Sequence, residues 1–430
     1  MKVAVLGLWH LGCVTAACLA EAGHHVVGLD PDPERVADLT QGRPPLQEPG
    51  LPELLAAGLA SGRLSFSADA RQALRDADVL WVAFDTPVDE RDEADVESVR
   101  RWLEDAGPAV RSGTLVLVSS QVPVGFTRAL ARDWAGRGLV FACSPENLRL
   151  GQALESFRRP DRVVVGVVDE GARAVVERLL APFAFPIEWM GAESAEMTKH
   201  ALNAFLATSA TFANEVARLG QVLGADAREV ERGLKSDRRI GPRAYLAPGP
   251  PFAGGTLARD VRYLTGFGDR HQIGTPLLEG VLRSNLDHGQ WLRDQITALL
   301  EAHEPVAAVL GLTYKPGTST LRRSAALELI RDLLVAGARV QAHDPAVRAL
   351  PGELAESVRL CETAQEALRG ADVAVIATAW PEYAELRPEE LVALMRRARV
   401  VDPGRTLEAG LAGDARVVYV ATGRPRRAHG

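Results

Sequence analysis

At 430 residues the chain exceeds what one hydrophobic core comfortably organises, and it calls for two or three domains. A composition of 47% hydrophobic and 24% charged residues is that of an ordinary globular protein and excludes a disordered or fibrous chain. The net charge of −7 gives no electrostatic reason to expect nucleic acid or a membrane surface as partner. No apolar run approaches the ~20 residues that span a bilayer, and Met1 leads straight into a strand pattern, which reads as no secretory leader. Cys13, Cys18, Cys143 and Cys361 lack metal or disulfide-framework spacing, so the expected setting is a reduced cytoplasm with no metal site.

The first elements lie in "VAVLGLWHLGCVTAACLAEAGHHVVGLD", residues 3–30: a strand, a glycine turn, a helix, a second strand and a terminal Asp. In the dinucleotide-binding form of this unit one glycine makes the turn. A second lets the pyrophosphate approach, and a third lets helix and strand pack closely. Gly7 and Gly12 hold the first and third roles, and Trp9 stands at the second. Asp30 closes the second strand, placed to accept from a ribose diol, which favours NAD over a 2′-phosphorylated cofactor. The same residues also fit a non-binding domain with a vestigial turn, its indole filling the site. Further on, "CSPENLRLGQALESFRRPDRVVVG" (143–166) carries Glu146, Arg149 and Gly151.

Residues 194–224 show helical apolar spacing and contain no Pro, which predicts one long helix. It suits dimerisation, or equally a spacer buried between domains. It carries Lys199 and Asn203 four residues apart on one face. A buried ammonium beside an amide can polarise a hydroxyl and hold an oxyanion, although such a pair on a helix is also an ordinary solvated face. The segment 234–264 packs Gly and Pro around a basic cluster and ends near Asp260. It reads as a cradle for a phosphorylated ligand or as a plain linker.

The opening plan then returns. "VAVLGLWHLG" (3–12) is echoed by "AAVLGLTYKPG" (307–317), "AGHHVVGLDPD" (22–32) by "AGARVQAHDPA" (336–346), and "ALRDADVLWVAFDTP" (73–87) by "ALRGADVAVIATAWP" (367–381). The pattern predicts an α/β fold: two Rossmann-like, doubly wound parallel-sheet domains joined by a central all-helical domain. Expected boundaries are 1–193, 194–304 and 305–430, with both sheets turned toward a common cleft.

Taken in order, "QEPGLPELL", "VPVG", "SPENLRLG…PDRVVVG", "NAFLA…FANE", "RRIG" and "GLTYKPGTSTLRRSAAL" resemble the UDP-glucose/GDP-mannose dehydrogenase family over essentially the whole chain. The resemblance implies NAD as cofactor, a nucleotide sugar (a UDP-hexose first) as substrate and a homodimer. It also implies oxidation of an alcohol to a carboxylate in two hydride transfers through a cysteine thioester. It places Glu146, Lys199, Asn203 and Asp260 on catalytic positions, with Thr256 where the family carries its cysteine. Gly7, Trp9, Leu11, Gly12, Asp30, Arg35, Thr86, Pro87, Gln121 and Arg322 fall on the cofactor side. Leu148, Arg149, Arg239, Tyr245, Gly254 and Lys315 join Glu146, Lys199 and Asn203 on the substrate side.

The departures cluster. Besides Thr256, the loop "FAGGTLARD" has Arg259 for a lysine, Ala258 for a proline, and Pro251 for a glycine just before it. Gln121 replaces a threonine that helps place the hydrolytic water, Leu150 a second glutamate, and Ser144 the asparagine of "NPE". Three readings stay open: an oxidoreductase limited to one oxidation, a non-redox nucleotide-sugar enzyme (epimerase, lyase or hydrolase), and a degenerate nucleotide-sugar-binding regulator.

Overall fold

The computed structural model describes residues 1–86, 95–146, 148–301 and 303–425. The expected cofactor-side residue Pro87 lies outside the described residues. The chain divides into two compact units, Met1–Ala201 and Leu202–Gly430, and the helix Ala192–Leu223 runs from one into the other.

The first unit is built on eight strands: β1 Lys2–Leu6, β2 His25–Leu29, β3 Leu64–Ser67, β4 Val79–Val82, β5 Leu115–Val118, β6 Val140–Cys143, β7 Val163–Val167 and β8 Ile187–Gly191. Their order is β3-β2-β1-β4-β5-β6-β7-β8, so the chain winds outward from β1 in both directions. Alternation along β1 explains why both faces are covered. Val3 and Val5 enter one buried cluster with helix α1 (His10–Glu21), while Ala4 and Leu6 enter a second with Val99, Leu103 and Phe126.

One junction departs from the parallel expectation. Strand β7 pairs antiparallel to β6, and β8 then runs parallel to β7. The 144–162 connection never crosses to the other end of the sheet. The buried Glu48 carboxylate accepts from the Gly151 and Ala153 amides, both at 2.8 Å, and this ties the segment down near the end of β6.

The second unit carries six parallel strands, β9 Val306–Leu310, β10 Arg339–His343, β11 Val358–Leu360, β12 Val373–Ile376, β13 Arg399–Val401 and β14 Val418–Val420, ordered β11-β10-β9-β12-β13-β14. Its helical part comprises the long helix from Leu202 onward with Ala227–Ser236, Arg259–Arg270 and Pro276–Thr297. Ala204, Ala207, Val261 and Val281 form its small core. Among the described residues no helix is long and apolar enough to cross a membrane.

Candidate active site

In the first unit the β1–α1 turn forms without a second glycine. Gly7 sits at φ +94°, and a Cβ there would lie 2.5 Å from the Phe84 ring. A Cβ on Gly12 would lie 1.7 Å from the Gly7 carbonyl oxygen, so the third glycine is required for close packing of α1 on the strand. Trp9 itself has φ −89°, outside the left-handed region that favours glycine. Its side chain is 40% exposed and lies against the Arg35 guanidinium, 5.3 Å from the ring centroid.

The buried Asp30 carboxylate ends β2. It accepts from the Leu8 amide at 2.7 Å, the Asp32 amide at 3.0 Å and Arg35 Nη1 at 3.0 and 3.1 Å. Thr86 donates to the Gln121 carbonyl at 2.7 Å and so joins the ends of β4 and β5. The two required glycines and the buried carboxylate fit a dinucleotide. One group does not match the pattern: Asp85 Oδ2 accepts from the Leu11 amide at 3.0 Å, in the first turn of α1.

The same unit holds Glu146 and Lys199 together. Lys199 Nζ donates to the Glu146 carbonyl at 2.5 Å and lies 3.5 Å from its carboxylate. Glu146 Oε2 in turn accepts from the Leu148 amide at 2.7 Å. Arg149 is exposed. One turn before Lys199, Glu196 is buried and accepts from the amides of Gly125 and Thr127 and from the Thr127 hydroxyl. Burial pushes its carboxyl above the ordinary range against the pull of those donors.

The second unit joins Asn203 and Asp260: the Asn203 side-chain amide donates to a carboxylate that is fully buried. Asp260 stands in the first turn of the helix Arg259–Arg270. Just before that helix, the π-helical turn Gly254–Ala258 carries Thr256. A Cβ on Gly255 would come 3.0 Å from Arg323, so the loop after β9, which bears Lys315 and Arg322, packs on this turn. Arg239 pairs instead with Asp237, Nη2 to Oδ2 2.7 Å, and its side chain is 89% exposed. Tyr245 is likewise 56% exposed. Neither is gathered with Asn203 and Asp260, because both stand in the exposed turns that follow Ser236. Gly254 is the first residue of the π-helical turn.

None of the four cysteines stands in that turn. All are buried and free. Burial pushes Cys18 and Cys143 up to about 12, and Cys13 and Cys361 in the same direction. Cys143, though it precedes the "SPE" segment, turns its thiol to the Ala192 carbonyl at 3.4 Å. A thiolate nucleophile is thus not available near neutral pH from any of them.

Sequence reasoning missed Asp85, Glu48 and Glu196. Glu48 lies in "QEPGLPELL", a quoted motif whose role is only visible once Gly151 and Ala153 are folded onto it. Asp85 and Leu11 are 74 positions apart, and nothing local marks the contact.

Residues 1–184 match the NAD binding domain of the UDP-glucose/GDP-mannose dehydrogenase family, 193–287 its central domain, and 308–409 its UDP binding domain. The chain is 35% identical to the UDP-glucose 6-dehydrogenase of Pseudomonas aeruginosa, over 100% of this chain and 99% of that one. It is 32% identical to that of Rhizobium meliloti, over 99% and 100%. Among solved structures it is similar to a UDP-glucose dehydrogenase from Pyrobaculum islandicum, at 34% identity, TM-score 0.84 and coverage of 99% and 98%. It is also similar to a UDP-D-ManNAc dehydrogenase from Pyrococcus horikoshii, at 26% identity, TM-score 0.86 and 99% of both chains. With three of its domains and relatives along its full length matched, the chain belongs to the UDP-glucose/GDP-mannose dehydrogenase family.

Proposed function

We propose that this nucleotide-sugar dehydrogenase oxidises the CH–OH group of a UDP-hexose with NAD and stops after one hydride transfer. The observation that carries the limit is the pairing of Thr256 in the catalytic turn with four buried, protonated thiols. A threonine hydroxyl lacks the acidity to trap an aldehyde without a dedicated base, and no thioester can form without sulfur.

Asp30 would hold the cofactor's adenosine ribose, with Gly7 and Gly12 keeping the turn tight and Thr86 and Gln121 bordering the strand ends. When bound, the nicotinamide supplies the hydride acceptor. The chain's own groups handle the proton. Asp260, fixed by Asn203, is a carboxylate suited to take the alcohol's proton. The Lys199 ammonium, steadied by Glu146, is suited to hold the alkoxide as it develops. Carbon loses a hydride and oxygen a proton, and a carbonyl compound results.

Domains at 1–193, 194–304 and 305–430, with the last binding the nucleotide, are part of this reading. So is a dimer built on the long helix. Phe205, Phe212 and Leu219 recur every seven residues along it and are 68%, 48% and 65% exposed, an apolar stripe suited to a second copy.

The test is the mass of the product formed from UDP-glucose and NAD. A product two hydrogens lighter than the substrate supports the reading, whereas a uronic acid contradicts it.

A further inference from the structure

Helix α1 presents its first backbone N–H groups where a dinucleotide-binding domain receives the pyrophosphate. Here one of them is already taken, since the Leu11 amide donates to Asp85 Oδ2 at 3.0 Å. Trp9, the N-cap residue, makes no side-chain cap hydrogen bond, and this carboxylate supplies a side-chain acceptor at that end of the helix. Asp85 follows β4 and is exposed, so water can reach its carboxylate and replace the amide.

We propose that Asp85 is an internal occupant of the pyrophosphate cradle, and that the dinucleotide binds only once this carboxylate has left the Leu11 amide. One N–H cannot serve both acceptors well, and a carboxylate beside a doubly negative pyrophosphate repels it. The field of Asp85 already reaches this turn: after burial it is the foremost charge holding up the Cys13 thiol, ahead of Asp30. Asp30 does not compete, because it lies at the ribose end and binds the Leu8 amide. Asp85 therefore acts as a determinant of cofactor affinity that weakens binding until displaced.

This inference rests on the NAD reading above. It is tested by calorimetric titration of NAD into the wild type, Asp85→Asn and Asp85→Ala, with folding checked by circular dichroism. Asn keeps the size of the side chain and decides the matter if Ala fails to fold. The expected result is a Kd for NAD at least ~10-fold lower in the variants than in the wild type. Variants that bind equally or more weakly overturn the inference while leaving the NAD reading in place. No binding by any of the three proteins overturns both.

Discussion

Asp30 and Asp344 occupy the same place in the two halves of the sequence echo, and their surroundings give them different work. Asp344 is saturated by protein donors: the Leu312 and Thr313 amides at 2.6 and 3.0 Å, the Thr313 hydroxyl at 3.1 Å and the Trp380 indole at 3.0 Å. Asp30 has a single strand-turn amide, the Asp32 amide and a guanidinium that is itself partly exposed. The first can only lock a turn, while the second can exchange Arg35 for a ribose hydroxyl. Replacing Asp30 by Ala should weaken NAD binding by about 10- to 100-fold, the worth of hydrogen bonds to a charged group. Calorimetry reads this directly, and an unchanged Kd would remove Asp30 from the cofactor site. At this scale the sequence was legible where chemistry depends on chain-local spacing, as at Gly7, Gly12 and Asp30. It was silent on Asp85, whose partner is distant in sequence. For Trp9 it left the indole's direction open, because a rotamer is decided by Arg35 and not by the turn.

Among the elements, the long helix was the easiest to read. Its apolar spacing and lack of Pro predict residues 194–224, and Ala192–Leu223 is observed. The antiparallel β7 was not legible, since periodicity marks a strand but not its direction. The helix also explains which site residues are fixed. Lys199 and Asn203 stand one turn apart on a rigid element, whereas Arg239 and Tyr245 lie in exposed turns. The stripe of Phe205, Phe212 and Leu219 sets a test at the same scale. The wild type should sediment as a dimer, and the double variant Phe205→Glu, Phe212→Glu as a monomer with secondary structure retained. Equal sedimentation of the two would exclude this face as the interface.

For the molecule as a whole, acid sensitivity follows from His288. It is buried, donates Nε2–H to the Gly249 carbonyl at 2.8 Å and stacks on Trp291. Burial lowers its pKa to about 4 from the ordinary 6.5. The unfolded chain therefore takes up this proton before the folded one does. The associated stability is complete above pH 6.5 and is lost as pH falls toward 4. The loss amounts to about 3 kcal/mol at most. Denaturant midpoints measured across that window should fall for the wild type and flatten for His288→Gln. An equal slope in both would contradict the assignment.

The chemistry is also a property of the whole chain, because the proposed single oxidation pairs a family scaffold matched along its length with Thr256 in the turn before Asp260 and four buried thiols elsewhere. The most direct measurement is the number of NADH molecules formed per UDP-glucose consumed, taken to completion with the aldehyde trapped, in the wild type and in Thr256→Cys. One NADH per sugar is expected from the wild type. Two NADH per sugar from the wild type would contradict it, and would mean that Thr256 or water completes the oxidation without a thiol.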